Sequence, residues 1–174
     1  MENVLLLHSS SDGQTVKILQ HIETTLGAEY CCELVDVNTS PTIDFSQYSR
    51  VLIGASIRYG HLNKKLYHFI DRYQPELEQN KVAFFCVNLT ARKPGKNTPE
   101  TSVYMKTFLK KSPWQPTLQA VFAGALRYPR YGWFDRVMIQ LIMRITGGET
   151  DTTKEVEYTD WDKVSDFAGQ FKQL

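Results

Sequence analysis

From residue 3 onward the chain alternates between short, uninterrupted apolar runs and segments whose apolar residues recur every three or four positions. Residues 3–8, 30–37, 50–55, 81–88 and 118–126 are β-rich or apolar runs of strand length. Between them, residues 14–26, 62–79, 100–111 and 161–172 carry helical periodicity. In the first of these Val16, Leu19, Ile22 and Leu26 share a face, and Gly27 ends the helix. Leu66, Phe69, Ile70 and Tyr73 do the same in the second. Thr159 with Asp162 three residues on predicts the start of the last helix.

Repeated strand–helix units with fully apolar strands predict an α/β fold, a doubly wound parallel sheet covered by helices on both faces. No repeat, linker or second domain interrupts residues 1–174, so one domain is expected. In such sheets ligands bind beyond the carboxyl ends of the strands. Those ends are Ser9 to Thr15, Ser56 to His61, Asn88 to Lys96 and Arg127 onward.

The first end has a recognisable chemistry. Ser9-Ser10-Ser11-Asp12-Gly13-Gln14-Thr15 places hydroxyls, a glycine and free amides at the opening of a helix, an arrangement that binds anions. It has no Lys or Arg. It matches neither the G-x-x-x-x-G-K-[ST] loop nor G-x-G-x-x-G. What is left is a cradle for a single phosphate monoester, such as that of flavin mononucleotide (FMN). At the second end, Ser56-Ile57-Arg58-Tyr59-Gly60-His61 offers an aromatic ring to lie against an isoalloxazine and a glycine that lets backbone approach it. His61 is read as a polar loop residue. The third end, Asn88-Leu89-Thr90-Ala91-Arg92-Lys93-Pro94-Gly95-Lys96, offers polar groups for the flavin's pyrimidine edge, and cations for a reduced flavin or a carboxylate.

The fourth end departs from a plain doubly wound domain. A helical insert, at approximately 127–150, is expected to interrupt the fifth strand, with strand character resuming at 155–158. Residues 127–146 contain four Arg against one Asp. Arg136, Gln140 and Arg144 fall on one stripe, and most of the rest of 133–145 is apolar. A basic, aromatic, apolar helix too short to span a bilayer reads as an interfacial membrane element or a pocket lid. The alternative is a helix covered by its own domain or by a partner subunit in a homo-oligomer.

Composition narrows the function classes. A net charge of +1 gives no whole-surface footprint for nucleic acid, and differs from the acidic surface of a soluble electron shuttle. Cys31, Cys32 and Cys86 form no C-x-x-C and no metal spacing, so reduced thiols and no metal are expected. No leader peptide is expected after Met1 and Glu2, and no apolar run of about 20 residues predicts a spanning helix.

Five blocks together resemble a known family. They are Ser11 to Thr15; Ile53 to His61; Val87-Asn88-Leu89 with Ala91 to Pro94; Gly124 to Tyr131; and Gly147 to Thr152 with Tyr158 to Trp161. Over essentially the whole chain the sequence resembles the flavodoxin-like, quinone-dependent protoporphyrinogen IX dehydrogenases, the FMN-type protoporphyrinogen oxidases of bacteria. That resemblance implies a five-stranded sheet of order 2-1-3-4-5 and bound FMN. It implies oxidation of protoporphyrinogen IX to protoporphyrin IX in haem synthesis, six electrons leaving in three flavin cycles for menaquinone or ubiquinone. It also implies peripheral attachment at the cytoplasmic face of the bacterial inner membrane, which fits the residue reading of Tyr131 to Thr146 as the membrane contact. The flavin would carry the redox chemistry, with no protein base named.

On this reading Ser9, Ser10, Ser11, Asp12, Gly13, Gln14 and Thr15 surround the phosphate. Ser56, Ile57, Arg58, Tyr59, Gly60, Asn88, Leu89, Thr90, Ala91, Arg92 and Lys93 hold the ring. Arg58, Arg127, Tyr128 and Arg130 meet the substrate, the arginines pairing with its propionates. Asp12 stands where flavodoxins commonly have Thr, and is expected to turn from the phosphate and cap the helix. Three other readings are a flavodoxin-type electron carrier, an NAD(P)H:quinone oxidoreductase, and a phosphoacceptor regulator. The last needs acidic residues where Ser9 to Ser11 and Ala55-Ser56 stand.

Overall fold

The computed structural model describes all 174 residues. Five strands, β1 (Glu2–Ser9), β2 (Tyr30–Asp36), β3 (Arg50–Ser56), β4 (Val82–Asn88) and β5 (Leu118–Ala123), form one parallel sheet in the order β2-β1-β3-β4-β5. Helices α1 (Gln14–Leu26), α2 (Lys64–Arg72), α3 (Gln74–Gln79) and α4 (Val103–Lys111) follow strands β1, β3 and β4. Beyond β5 come β6 (Ala125–Arg127), α5 (Trp133–Thr146), β7 (Glu155–Glu157) and α6 (Trp161–Gln173).

The strands alternate between two cores, as a two-sided sheet requires. Leu5, Leu7, Val51, Ile53, Phe84 and Cys86 pack with α2 and α4. Val4, Leu6, Leu52, Ala83 and Phe85 pack with α1 and α6. Gly54 belongs to this second face: the Phe85 ring lies where a β-carbon at 54 would stand.

The long helix expected over 62–79 is two helices that meet at Tyr73. Pro75 lacks an N–H and its ring crowds the carbonyl one turn back, which ends α2 and places Pro75 in the first turn of a new helix. Asp160, not Thr159, caps α6, its carboxylate accepting from the Lys163 amide at 3.2 Å.

The insert leaves from the carboxyl end of β5 at Gly124. Its return strand β7 does not extend the main sheet; it pairs antiparallel with β6, Ala125 opposite Glu157 and Arg127 opposite Glu155. The Tyr158 amide donates to the Gly124 carbonyl at 3.0 Å, so the ribbon's two ends meet. Leu126, Tyr128, Tyr131 and Met143 form its own small core.

Candidate functional site

At the carboxyl end of β1 the chain turns through Gly13, whose φ of +84° is the left-handed conformation glycine adopts freely. Gly13 occupies the cap position of α1, and no side chain or first-turn acid covers the helix start. The first helical bond runs from the Lys17 amide to the Gly13 carbonyl, so the amides of residues 14–16 have no partner within the helix. Ser10 Oγ accepts from the Gly13 amide at 3.1 Å, and Ser56 Oγ accepts from the Ser11 amide at 3.2 Å, fixing the turn against β3. Thr15 is fully buried, and its hydroxyl has no hydrogen-bond partner. A buried hydroxyl left so costs about 1–3 kcal/mol, which a ligand acceptor at this spot would recover.

Two side chains of the turn are engaged by neighbouring residues. Ser9, also buried, donates to Asn38 Oδ1 at 3.1 Å and supports the turn from behind. Asp12 does not cap α1. Its carboxylate turns outward to Arg58, 3.0 Å away, because the left-handed Gly13 takes the cap position and a guanidinium lies within reach.

The second loop is a tight turn. Arg58 and His61 exchange both backbone hydrogen bonds, at 2.9 and 3.0 Å, with Tyr59 (φ +49°) and Gly60 (φ +80°) between them. Two successive positive φ values make a type I′ turn, natural for Gly60 and strained for Tyr59. The Tyr59 phenol donates to the Asp135 carboxylate on α5, and Arg58 pairs with the same carboxylate. In the third loop Asn88 shapes the backbone: its Oδ1 accepts from the Thr90 hydroxyl (2.6 Å) and the Ala91 amide (2.9 Å). Arg92 folds back on the Leu89 carbonyl at 2.7 Å and on Thr146 at the end of α5.

These loops and the insert enclose a cleft at the sheet's carboxyl edge. The structure brings together there Ser10, Asp12, Gln14, Thr15, Ser56, Ile57, Arg58, Tyr59, Gly60, Asn88, Leu89 and Thr90. Ser9, Ser11, Gly13, Ala91, Arg92 and Lys93 lie outside its walls. Sequence reasoning missed Val87, Tyr104, Gly124, Ala125, Tyr131, Ile139 and Ile142 as wall residues. Gly124 and Ala125 had a signal, since they sit at the end of β5. Tyr104 on α4 had none.

The arginines expected at the substrate are engaged within the chain. Arg127 donates to the Asp12 carbonyl (2.8 Å) and to Gln14 Oε1 (2.6 Å), binding the ribbon to the turn after β1. Gln14 in turn donates to Thr159 (2.9 Å) and Glu157 (3.2 Å). Burial raises the Glu157 pKa, but hydrogen bonds from Lys17, Trp161 and Gln14 outweigh it and hold the carboxyl below its ordinary value. Arg130 forks onto Glu155 at 2.7 and 3.1 Å, away from the cleft. Tyr128 is buried beneath the insert, its phenol on the Glu149 carbonyl at 2.7 Å. None of these three lines the cleft.

The far side of α5 is different in kind. Trp133, Phe134 and Ile145 are 78%, 63% and 76% exposed, with Val137 and Leu141 also exposed. No helix is long and apolar enough to cross a membrane.

Residues 5–153 match the flavodoxin domain family. The chain is 46% identical over 173 residues to the protoporphyrinogen IX dehydrogenase (quinone) of Escherichia coli K12, covering 98% of this chain and 94% of that one. It is 49% identical over 172 residues to a protein of the same name from Leishmania major, covering 98% and 74% respectively. Among solved structures, oxidised flavodoxin 1 from Bacillus cereus shares the fold with a TM-score of 0.55 at 17% identity, covering 98% of this chain and 97% of that chain.

Proposed function

Since the chain belongs to the flavodoxin domain family and, within it, to the group of the quinone-linked protoporphyrinogen IX dehydrogenases, we propose that it binds FMN in the cleft and oxidises protoporphyrinogen IX to protoporphyrin IX. Six electrons would leave the macrocycle in three two-electron rounds and pass to menaquinone or ubiquinone. The observation that carries the cofactor reading is the buried, unpartnered Thr15 hydroxyl beside the free amides of α1. This donor set suits a dianionic phosphate without a lysine or arginine in the turn.

FMN when bound supplies a hydride acceptor at its ring nitrogen N5. The chain's own residues do the rest. Ser10, Thr15 and the amides of residues 14–16 hold the phosphate, and Ser11 and Gly13 keep the turn in shape. Ile57, Tyr59, Gly60, Leu89 and Thr90 offer the ring its walls, while Ile139, Ile142 and Tyr131 roof the cleft and exclude water. Asp12, drawn to Arg58, keeps its charge off the phosphate.

The exposed apolar side of α5 supports peripheral contact with a lipid surface, where a quinone is dissolved. We assign that contact to the Tyr131–Thr146 segment, and the lipid surface to the cytoplasmic face of the inner membrane if the source is bacterial.

The test is direct. The purified chain should show flavin absorption bands, or acquire them on incubation with FMN. Mixed anaerobically with protoporphyrinogen IX and a quinone analogue, it should generate porphyrin fluorescence. A protein that never takes up FMN, or that takes it up and oxidises NADH but not the porphyrinogen, refutes the proposal. For the lipid contact, Trp133→Ser with Ile145→Ser should lower sedimentation with anionic vesicles; undiminished sedimentation would locate the contact elsewhere.

A further inference from the structure

Beside the cleft, and sharing Ile57, Gly60 and Tyr104 with it, lies a second pocket between the first turn of α2 and the Tyr104–Thr107–Lys111 face of α4. Its distinctive residues are His61, Lys64 and Lys111, with the phenol-bearing Tyr67 beside them. We infer that this pocket receives the propionate carboxylates of the substrate, with Lys64 and Lys111 as their counter-charges. The inference rests on the proposed porphyrinogen substrate, and it moves the carboxylate contacts away from Arg127 and Arg130.

Three observations converge on it. First, the arginines expected to meet the propionates are already neutralised or bonded: Arg58 by Asp12 and Asp135, Arg130 by Glu155, Arg127 by Gln14 and a carbonyl. Second, no Asp or Glu lines the second pocket, and neither Lys64 nor Lys111 forms an ion pair within the chain. Third, Lys64 and Lys65 open α2, where the helix dipole disfavours cations. Lys65 is compensated by the Asn38 carbonyl at 2.8 Å; Lys64 has no such acceptor. An anion entering the pocket would compensate it. Burial also pushes the Tyr67 phenol up, so it stays protonated and able to donate to a carboxylate.

The geometry suits a ligand with two faces of chemistry. A tetrapyrrole is a broad apolar disc with its two propionates on one edge. The disc would lie at the mouth of the cleft, against Tyr104, while that edge overhangs the lysines. The role is recognition, so it acts on binding of the acid and not on the redox step.

The experiment compares protoporphyrin IX with its dimethyl ester, titrated into the FMN-loaded protein and followed by porphyrin fluorescence. The free acid should bind roughly tenfold more tightly than the ester, a preference that shrinks as salt rises. In Lys64→Glu/Lys111→Glu the acid should lose that advantage while the ester binds as before. Lys106→Glu/Lys110→Glu changes net charge equally on the exposed side of α4 and should retain it. Equal binding of acid and ester by the unaltered protein overturns the inference. So does equal loss of both ligands in the first variant, or loss of the preference in the second. Turnover of protoporphyrinogen IX is read separately. A lysine-dependent acid preference without turnover would remove the proposed reaction and keep the carboxylate pocket; turnover without the preference would do the reverse.

Discussion

In β4 every residue from Val82 to Asn88 is buried, whereas α5, twice as long, buries only Met143. The contrast extends to what holds each region. The sheet rests on apolar burial from both faces. The insert rests on a small core of its own and on a perimeter of polar ties: Arg58 to Asp135, Arg127 to Gln14, Arg92 to Thr146, Arg130 to Glu155, and Tyr128 to the Glu149 carbonyl. Burial is non-directional and strong in sum. Half-exposed ion pairs are weak one by one and sensitive to salt and pH. The comparison therefore predicts a rigid frame carrying a segment that can loosen without unfolding it.

The sharpest test is in the frame. Phe84 is fully buried and stacked on Phe108 with centroids 4.1 Å apart, so Phe84→Ala should cost about 3–5 kcal/mol in urea unfolding, with sheet and insert lost together. Gly54→Ala should cost about 1–3 kcal/mol, because the new methyl meets the Phe85 ring. A smaller effect is expected at the perimeter. Arg58→Ala should raise hydrogen exchange across 133–146 by an amount worth about 1 kcal/mol, while the urea midpoint stays nearly fixed. A matching fall in global stability would show that the insert is part of the frame.

The pH response separates the regions in the same way. Glu157 has a folded pKa below the ordinary 4.5, so the unfolded state takes up protons first as pH falls. Its contribution is complete above that value and is lost as pH drops through the lowered one. The base of the ribbon, where Glu157 accepts from Gln14 and Trp161, should loosen in that acid range before the sheet does. Trp161 fluorescence against far-ultraviolet dichroism would reveal the order. The smallest effect is expected on the outer side of α5: Trp133→Ser should alter stability by no more than about 0.5 kcal/mol. A loss beyond about 1 kcal/mol would mean that this face is covered.

The frame was largely legible in the sequence because its signals are local. Uninterrupted runs such as 81–88 mark doubly covered strands, and the loops at their carboxyl ends supplied most of the cleft. Pro75 was a visible warning that the 62–79 periodicity is two helices. At the start of α6 two adjacent residues, Thr159 and Asp160, both suit a cap, and the sequence does not rank them. The β6–β7 ribbon was not legible as a ribbon: two three-residue strands find each other across some thirty positions, and only the strand character of 155–158 showed. Charge partners were hidden for the same reason. Arg58 meets a residue 77 positions away, and Arg127 one 113 away, so basic side chains that look available to a ligand are in fact committed.

The hydrogen bond between Tyr158 and Gly124 closes the neck of the ribbon. With entry and exit side by side, the thirty-odd residues between them behave as a cassette. Their length can drift over evolution at an entropic cost that grows only with the logarithm of the loop, leaving the five strands in register. One scaffold can thus be refitted for a different surface or reactant by exchanging what hangs from a single junction.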